Sequence, residues 1–185
     1  MKFKLSNKKL DPKLFLEMNS SIDDRKTWDK FCKEIRLIER ISDNSDIIYY
    51  QWTSPAFFIK NRDYVIERYW FNNKDDADLV KKYKLPFKEN NYWVIFNQSI
   101  EHASCPPIPK IVRAKLVFSL YFIEEDSLNP NTFTLYGIEK NDLGGRIPYW
   151  ILNSIYSFFG DQVPKELEEA YENYVKKRYP EGKSG

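Results

Sequence analysis

The sequence predicts an α+β domain in which a curved antiparallel β-sheet wraps around a long C-terminal helix. Stretches rich in β-branched and aromatic residues follow one another between residues 34 and 138, and turn residues separate most of them. Strands joined in this way pair antiparallel, because a parallel pair needs a long crossover connection. The amphipathic segment Lys165–Lys177 supplies the helix, with apolar residues every three or four positions and charges between them.

Two short helices are predicted near the N-terminus, after a short strand at Lys2–Ser6. Aspartate followed by proline is typical of a helix start, because the aspartate caps the first turn and the proline fits the first helical position; Asp11–Met18 is therefore the first helix. Ser20 or Ser21 caps the second helix, whose apolar residues recur about once per turn until the chain reaches Cys32.

The strands begin with a predicted β-hairpin. Glu34–Ile41 and Ile47–Thr53 flank a turn at residues 43–44, and Arg62–Phe71 is the next strand. Three further stretches have the same composition, namely Tyr92–Ile100, Ile111–Ile123 and Asn131–Ile138. Between the third and fourth strands, Asn72–Asn91 predicts an insertion that carries a short surface helix.

Alternation along the strands predicts faces of different character. On Arg62–Phe71 each face mixes charges with large rings. On Ile111–Ile123 one face is mixed (Arg113, Val117, Ser119, Tyr121, Ile123) and the other is apolar (Val112, Ala114, Leu116, Phe118, Leu120, Phe122). Periodicity alone favours solvated edge strands with amphipathic tyrosines. The other interpretation is a ligand tunnel, whose lining is mostly apolar with a few polar groups.

The segment Ile147–Phe159 favours the tunnel. It predicts a helix with one apolar stripe through Ile147, Trp150, Ile151, Ile155 and Phe158 and a second through Leu152, Tyr156, Phe159 and Val163. A single sheet cannot bury both stripes. A core helix packed on two sides is one interpretation. The other is a lid that covers an apolar ligand and meets a membrane or a partner, with Gly144 and Gly145 as its hinge and Gly160 as its end.

The overall composition excludes several classes of protein. With 185 residues, 42% of them hydrophobic, the chain suits one domain at residues 1–185 with a substantial core. The net charge of +2 gives no global attraction to nucleic acid. Cys32 and Cys105 are too few for a disulfide scaffold and lack zinc-ligand spacing. We find no stretch long and apolar enough to span a bilayer and no signal peptide, so we expect a cytoplasmic protein.

The residues that carry most enzyme chemistry are scarce in this sequence. His102 is the only histidine, and its HASCPP context is typical of a loop. We find no dinucleotide-binding motif, no phosphate-binding loop and no calcium-binding loop. We therefore expect no metal, no cofactor and no catalytic residue.

Five segments resemble the START lipid-transfer domains, in order and with the family's spacing, over roughly Asp11–Tyr179. They are DDRKTWD at 23–29, SDIIYYQWTSP at 45–55, NRDYVIERYW at 61–70, the run SIEHASCPPIPKIVRA at 99–114, and DLGGRIPYWILN at 142–153. Each segment alone is weakly specific, but their order and spacing together are characteristic.

This resemblance implies a helix-grip fold, in which a curved antiparallel sheet surrounds the long, kinked C-terminal helix and encloses one lipid. Family members extract a lipid from one membrane and release it at another, or sense it, without changing its covalent bonds. The resemblance places Arg68 toward the polar end of the ligand and gives Arg62, Asp63 and Arg113 mainly structural roles as ion-pairing or hydrogen-bonding groups. Asp142 and Gly145 match the turn into the lid.

The candidate site residues follow from the tunnel and the resemblance together. The expected ligand contacts are Arg68, Gln51, Tyr64, Trp93, Arg113, Tyr121, Tyr136, Trp150 and Asn153, and the expected lid residues are Gly144, Gly145, Ile147, Ile151, Ile155 and Phe158. Aromatic rings among them, and Trp52, could surround a quaternary ammonium by cation–π contact, although core packing explains most of these rings individually.

The sequence departs from the family pattern at two places. Sterol carriers of this type often pair the tunnel arginine with an acid on the preceding strand, and the counterpart expected here is the neutral Gln51. An unpaired Arg68 would favour an anionic phosphate, hence a phospholipid over a sterol. In addition, the family's first helix and first two strands have no counterpart here, and an uncovered sheet edge would favour self-association.

The leading hypothesis is a lipid-transfer protein that carries a glycerophospholipid such as phosphatidylcholine and contacts membranes transiently. A sterol or other lipid carrier or sensor is the alternative. An enzyme on the same fold is a further class, for which only Glu67 or Asp63 with Tyr64 could supply an acid and a base.

Overall fold

The β-strands of this protein form one sheet that runs the length of the domain. The structure, a computed structural model, describes residues 2–6, 11–54, 57–75, 78, 81, 91–125, 132–153 and 163–180. Its strands are β1 (Lys2–Ser6), β2 (Cys32–Ser42), β3 (Ser45–Trp52), β4 (Arg62–Asn72), β5 (Tyr92–Ser99), β6 (Val112–Arg113), β7 (Lys115–Glu125) and β8 (Thr132–Asp142). The helices are α1 (Pro12–Ser20), α2 (Ile22–Trp28) and α3 (Val163–Arg178), and residues 149–153 are also helical.

The strand order across the sheet is β1-β8-β7-β5-β4-β3-β2, and every pair of neighbours in it is antiparallel. This confirms the predicted antiparallel sheet and the hairpin at its β2–β3 edge. The prediction of one continuous strand at Ile111–Ile123 is wrong. The chain leaves the ladder at Ala114, because β6 pairs parallel with β4 whereas β7 lies between β5 and β8.

A β-bulge in β7 changes which of its side chains face inward. The register with β8 shifts between Leu116 and Phe118, so two residues of β7 oppose one residue there. Leu116 therefore lies on the inner face together with Ser119 and Tyr121, while Val117 is 38% exposed. Strict alternation predicted the opposite sides for Leu116 and Val117, and both assignments are wrong for this reason.

Local side-chain hydrogen bonds set the ends of the N-terminal helices. The Asp11 carboxylate accepts the Lys13 N–H (2.8 Å) and the Ser21 hydroxyl oxygen accepts the Asp24 N–H (3.1 Å), which confirms both predicted caps. The second helix ends at Trp28, earlier than predicted. Its end follows from Asp29, whose side chain accepts the Phe31 N–H (3.1 Å) and turns the chain into β2.

The largest core cluster lies between the inner face of the sheet and the helices α1 and α3. Phe15 of α1 meets Phe133 of β8 edge-to-face at 5.1 Å and Tyr171 of α3 at 5.9 Å, and all three are at most 1% exposed. Burying such a side chain contributes roughly 1.5–3 kcal/mol. The amphipathic stripe predicted for the terminal helix is confirmed, since Leu167, Ala170, Tyr171 and Tyr174 are buried. Protein therefore fills this half of the inner face.

Two predicted elements extend beyond the described part of the chain. Most of the surface helix expected within Asn72–Asn91 and the lid residues Ile155 and Phe158 lie outside it. Of the lid helix, residues 149–153 are described.

We predict that Phe133→Ala lowers the free energy of unfolding by about 3–5 kcal/mol, because it removes a fully buried ring. The matched control is Phe57→Ala, which removes the same ring from a residue that is 100% exposed. Urea denaturation followed by circular dichroism measures both. Equal losses for the two variants would contradict the placement of the core.

Candidate functional site

A cavity of about 740 Å³ lies on the inner face of the sheet and borders the core cluster, with which it shares Phe15 and Leu167. Residues of α1, α2 and α3 line it, together with residues of β2, β3, β4, β5, β7 and β8. Most of the side chains that line the cavity are aromatic or aliphatic: Phe15, Trp28, Phe31, Ile35, Ile48, Tyr50, Trp52, Tyr64, Ile66, Trp70, Ile95, Leu116, Tyr121, Leu135, Ile138, Leu143 and Leu167. An apolar hollow of this size with a few polar groups is the usual form of a small-molecule site.

Arg68 reaches the cavity from β4 but is already paired. Its Nε and Nη2 donate to the two carboxylate oxygens of Asp46 at 2.7 and 2.8 Å, and Nη2 also donates to the Ser20 carbonyl at 3.0 Å. Asp46 is fully buried and accepts a third contact from Arg40 at 3.1 Å. Such a bidentate pair is both strong and geometrically fixed.

The expectation that Arg68 has no acidic partner is therefore wrong. The register of β3 and β4 places Asp46 directly opposite Arg68, and Gln51 opposite Asp63. Since successive side chains alternate, Gln51 does not line the cavity, whereas its neighbours Tyr50 and Trp52 do. The acid thus lies five positions earlier in β3 than the resemblance suggested.

A second cation, Arg25 of α2, lines the cavity, and its Nη1 and Nη2 donate to no residue in the described part of the chain. Its Nε donates to Asp29 Oδ2 at 2.8 Å, and the guanidinium lies 4.3 Å from the ring centre of Trp28 and 5.7 Å from that of Tyr50. The Tyr50 hydroxyl donates to the same oxygen of Asp29 at 2.9 Å. Burial alone would lower the pKa of Arg25, but the Asp29 carboxylate outweighs burial and raises it, so the guanidinium stays charged.

Glu139 of β8 provides an acidic group on the sheet wall of the cavity. The Tyr121 hydroxyl of β7 donates to its Oε2 at 3.5 Å. Burial together with the Glu139 charge raises the pKa of Tyr121 to about 12. The Tyr121 ring lies over Gly137, where an added Cβ would come within 2.9 Å of the ring. Because Gly137 has no side chain, the Tyr121 ring can occupy this space.

Arg62 ties the start of β4 to the turn that enters the lid. Its Nε donates to the Leu143 carbonyl at 3.2 Å and its Nη2 to the Gly144 carbonyl at 3.3 Å, and the side chain is buried. Gly144 and Gly145 have φ values of +62° and +69°, which L-residues rarely adopt. After this turn Ile151 is buried in one cluster with Trp52 and Tyr64.

The structure brings some of the predicted ligand contacts together and separates others. Arg68, Tyr64 and Tyr121 line the cavity; Gln51, Trp93, Arg113, Tyr136, Trp150 and Asn153 do not. Arg113 pairs with Asp63 at 2.8 and 3.0 Å, which confirms its structural role. Tyr136 lies on the outer face and donates to Glu124 at 3.0 Å. Among the predicted lid residues, Ile147 packs beside Ile151 below the turn.

Four large aromatic side chains are exposed beside the lid turn. Phe57 is 100% exposed, Phe58 54%, Tyr149 85% and Trp150 63%. The rings of Phe57 and Phe58 are 5.2 Å apart, and Phe58 and Trp150 are 6.2 Å apart, so the β3–β4 loop and residues 149–150 form one surface, the aromatic patch. No helix among the described residues has the length and apolarity needed to cross a membrane.

Arg25 and Glu139, which line the cavity, and Asp46, which pairs with Arg68, were not identified as site residues from the sequence. Arg25, Trp28 and Asp29 occupy positions i, i+3 and i+4, so one helix face carries all three, and this spacing is a signal that could have been used. To identify Asp46 one had to know the register between β3 and β4, and to identify Glu139 one had to extend the predicted last strand beyond residue 138.

The sequence and the fold identify the family. The family model described as START domain matches residues 6–159, so this chain belongs to the START domain family. START domain-containing protein 10 of Mus musculus is 30% identical over 162 residues, which cover 88% of this chain and 47% of that protein. This chain therefore spans about half the length of that relative.

Two further comparisons agree with this assignment. Phosphatidylcholine transfer protein of Mus musculus is 28% identical over 166 residues, covering 90% of this chain and 70% of that protein. The crystal structure of human STARD10 superimposes with a TM-score of 0.74 at 26% identity, covering 96% of this chain and 66% of that chain. The helix-grip α+β fold expected from the sequence is thereby confirmed.

We predict that Arg68→Gln lowers the free energy of unfolding by about 3–5 kcal/mol, because it leaves Asp46 buried without its bidentate partner. The control Lys176→Gln removes an exposed pair with Glu172 and changes stability by less than about 0.5 kcal/mol. Chemical denaturation at constant pH compares the two. If Arg68→Gln were as stable as the wild type, the pair would not be a structural element.

Proposed function

We propose that this chain binds one lipid molecule in the cavity and transfers it between membranes. The ligand we propose is a glycerophospholipid such as phosphatidylcholine. The observation that carries the proposal is the apolar cavity of about 740 Å³ on the inner face of the sheet. In most proteins side chains fill such an interior space, and a cavity that stays open is the usual form of a ligand site. Two relatives whose names describe lipid transfer and phosphatidylcholine transfer support it.

The apolar wall would supply most of the binding free energy. Each methylene of an acyl chain gains roughly 0.8 kcal/mol when it leaves water, so a long chain against Trp52, Ile66 and Leu116 would be held firmly. Release would then depend on opening the lid, because equilibrium dissociation into water is very slow. The turn at Gly144 and Gly145, held by Arg62, is the hinge we propose.

The aromatic patch would provide the transient contact with a membrane. Phe57, Phe58, Tyr149 and Trp150 are exposed beside the hinge, and large exposed apolar patches mark interaction surfaces. Aromatic rings prefer the membrane–water interface. The adjoining cations Lys60 and Arg146 are exposed as well and would face anionic head groups. A membrane in contact with this patch would lie directly beside the proposed hinge.

A sterol is the second candidate ligand, and the Arg68–Asp46 pair favours it. Sterol carriers of this fold were expected to pair the tunnel arginine with an acid on the preceding strand, and Asp46 on β3 meets that description. The neutral Gln51 no longer provides an argument for a phospholipid. The remaining argument for a phospholipid is Arg25, whose Nη1 and Nη2 donate to none of the described residues.

Catalysis by the acids considered from the sequence is poorly supported. Asp63 is bound by Arg113, Glu67 accepts a hydrogen bond from Gln98 Nε2 at 2.8 Å, and neither side chain lines the cavity. Tyr64 lines it, but burial raises its pKa to about 12, so it is a poor base at neutral pH.

Native mass spectrometry of the purified protein, followed by extraction and identification of the bound lipid, tests the proposal. We expect a one-to-one complex whose extracted ligand is a glycerophospholipid. A bound sterol would replace the leading ligand by the second candidate. Protein that stays empty after incubation with vesicles of both lipids would contradict lipid carriage altogether.

We also predict that the double variant Phe57→Ser, Trp150→Ser slows lipid transfer between vesicles by about tenfold or more, since it removes two rings from the membrane contact. Lipid already bound should stay bound, because neither ring lines the cavity. The control Tyr179→Ser changes an aromatic side chain that is 59% exposed after α3. Equal slowing by the control would show that the aromatic patch has no special role.

A further inference from the structure

The loop between β5 and β6 carries an exposed apolar run, Pro106-Pro107-Ile108-Pro109, which we call the proline segment. All four residues are exposed, and Ile108 is 42% exposed. None of them lines the cavity. Contiguous apolar surface of this kind marks an interaction site, and the lipid-binding function makes no use of it.

The sequence of the proline segment fixes a polyproline II backbone. Each proline holds its own φ at about −65°. The residue before a proline is kept out of the helical region, and Cys105, Pro106 and Ile108 each precede one. Residues 106–108 accordingly belong to no helix, strand or turn. Because a polyproline II helix has three residues per turn, Pro106 and Pro109 lie on the same side of it, about 9 Å apart.

A β-turn with an unusual third residue ends the proline segment. The Ile111 N–H donates to the Ile108 carbonyl at 3.2 Å across Pro109 and Lys110. Lys110 has a φ of +70°, and among the described residues only it and two glycines have a positive φ. A turn with proline in second place and a positive φ in third place favours glycine there. Lysine at this point costs stability, which indicates a use for its charge.

Arg113 attaches the start of the proline segment to the sheet. Its Nη1 donates to the Cys105 carbonyl at 3.1 Å and its Nη2 to the Pro106 carbonyl at 3.4 Å. The Cys105 side chain is buried in one cluster with Val65. The segment is therefore rigid before any partner binds, so that binding would cost little conformational entropy.

A groove of aromatic rings is the partner that fits an exposed polyproline II segment. Such grooves bind the proline rings of P-x-x-P sequences, and Pro106 and Pro109 have this spacing. None of the described residues donates to the Pro107 or Pro109 carbonyl, so both can accept hydrogen bonds from the groove. Because the Cys105 side chain is buried, only the four residues that follow it can be read. This short length favours a module with a single small groove, as in WW domains.

We propose that the proline segment docks a protein module of the WW class, and that Lys110 pairs with an acidic residue at the rim of the module's groove. Val65 alternates with the cavity-lining residues Tyr64 and Ile66, so the cluster that holds Cys105 lies on the sheet face opposite the cavity. The chain can therefore bind the module and a lipid at the same time. This inference goes beyond the proposed function and does not depend on it.

The experiment titrates the full chain against an array of purified WW domains and measures affinity by biolayer interferometry. We expect binding to at least one domain, and displacement of the chain by a proline-rich peptide that occupies that domain's groove. Pro107→Ala should weaken the binding by about tenfold or more, because it removes a ring from the groove. The matched control is Pro180→Ala, the same change at an exposed proline after α3, which should bind like the wild type.

Lys110 is tested by comparing affinity with stability. Lys110→Gly should weaken the binding about three- to fivefold, because it removes an exposed ion pair with the module. The same change should raise the urea midpoint of unfolding, because glycine adopts a positive φ without strain. Lys110→Arg keeps the charge and should retain the affinity.

The outcomes separate this inference from the proposed function. No binding to any domain of the array would overturn the proposal, and so would binding by Pro107→Ala as tight as that of the wild type. Unchanged affinity of Lys110→Gly would contradict the role of the lysine. Uptake of phosphatidylcholine from vesicles by Pro107→Ala should equal that of the wild type, so a failure of lipid carriage is detected in a separate assay.

Discussion

The buried ion pair between Arg68 and Asp46 determines how the polar part of the cavity is organised. A charge inside an apolar cavity is costly unless it is paired. Arg68 is bound by Asp46 and by the Ser20 carbonyl, and Asp46 is also contacted by Arg40. It also joins β3, β4 and the end of α1. Among the described residues, the polar groups available to a ligand are those that keep hydrogen-bonding atoms without a partner in the protein, and Arg25 is the foremost of them.

The strand β4 serves two faces of the domain because its side chains alternate. Tyr64 and Arg68 line the cavity, while Asp63 lies on the other face of the strand and binds Arg113 of β6. At its start Arg62 holds the lid turn through two carbonyls. The strand β4 therefore helps to position the cavity wall, Arg113 and the lid turn, so a change in its register would disturb all three.

Much of the fold could be predicted from the sequence, but the site only in part. Caps and alternation are local, so the starts of both N-terminal helices and the cavity position of Tyr64 were predicted correctly. The bulge near Val117 was not, because an extra residue in a strand leaves no mark in the local pattern. The partner of Arg68 depended on the register between β3 and β4, and the family resemblance suggested Gln51 where the structure has Asp46.

The central claim is that the inner face of the sheet encloses a lipid rather than more protein. A crystal structure of the protein, purified without delipidation, tests this most directly. The account predicts continuous electron density along the wall from Trp52 to Leu116, ending in a head group beside Arg25. A cavity closed by inward movement of Trp52 and Tyr64, with side chains packed against one another and no ligand density, would contradict it.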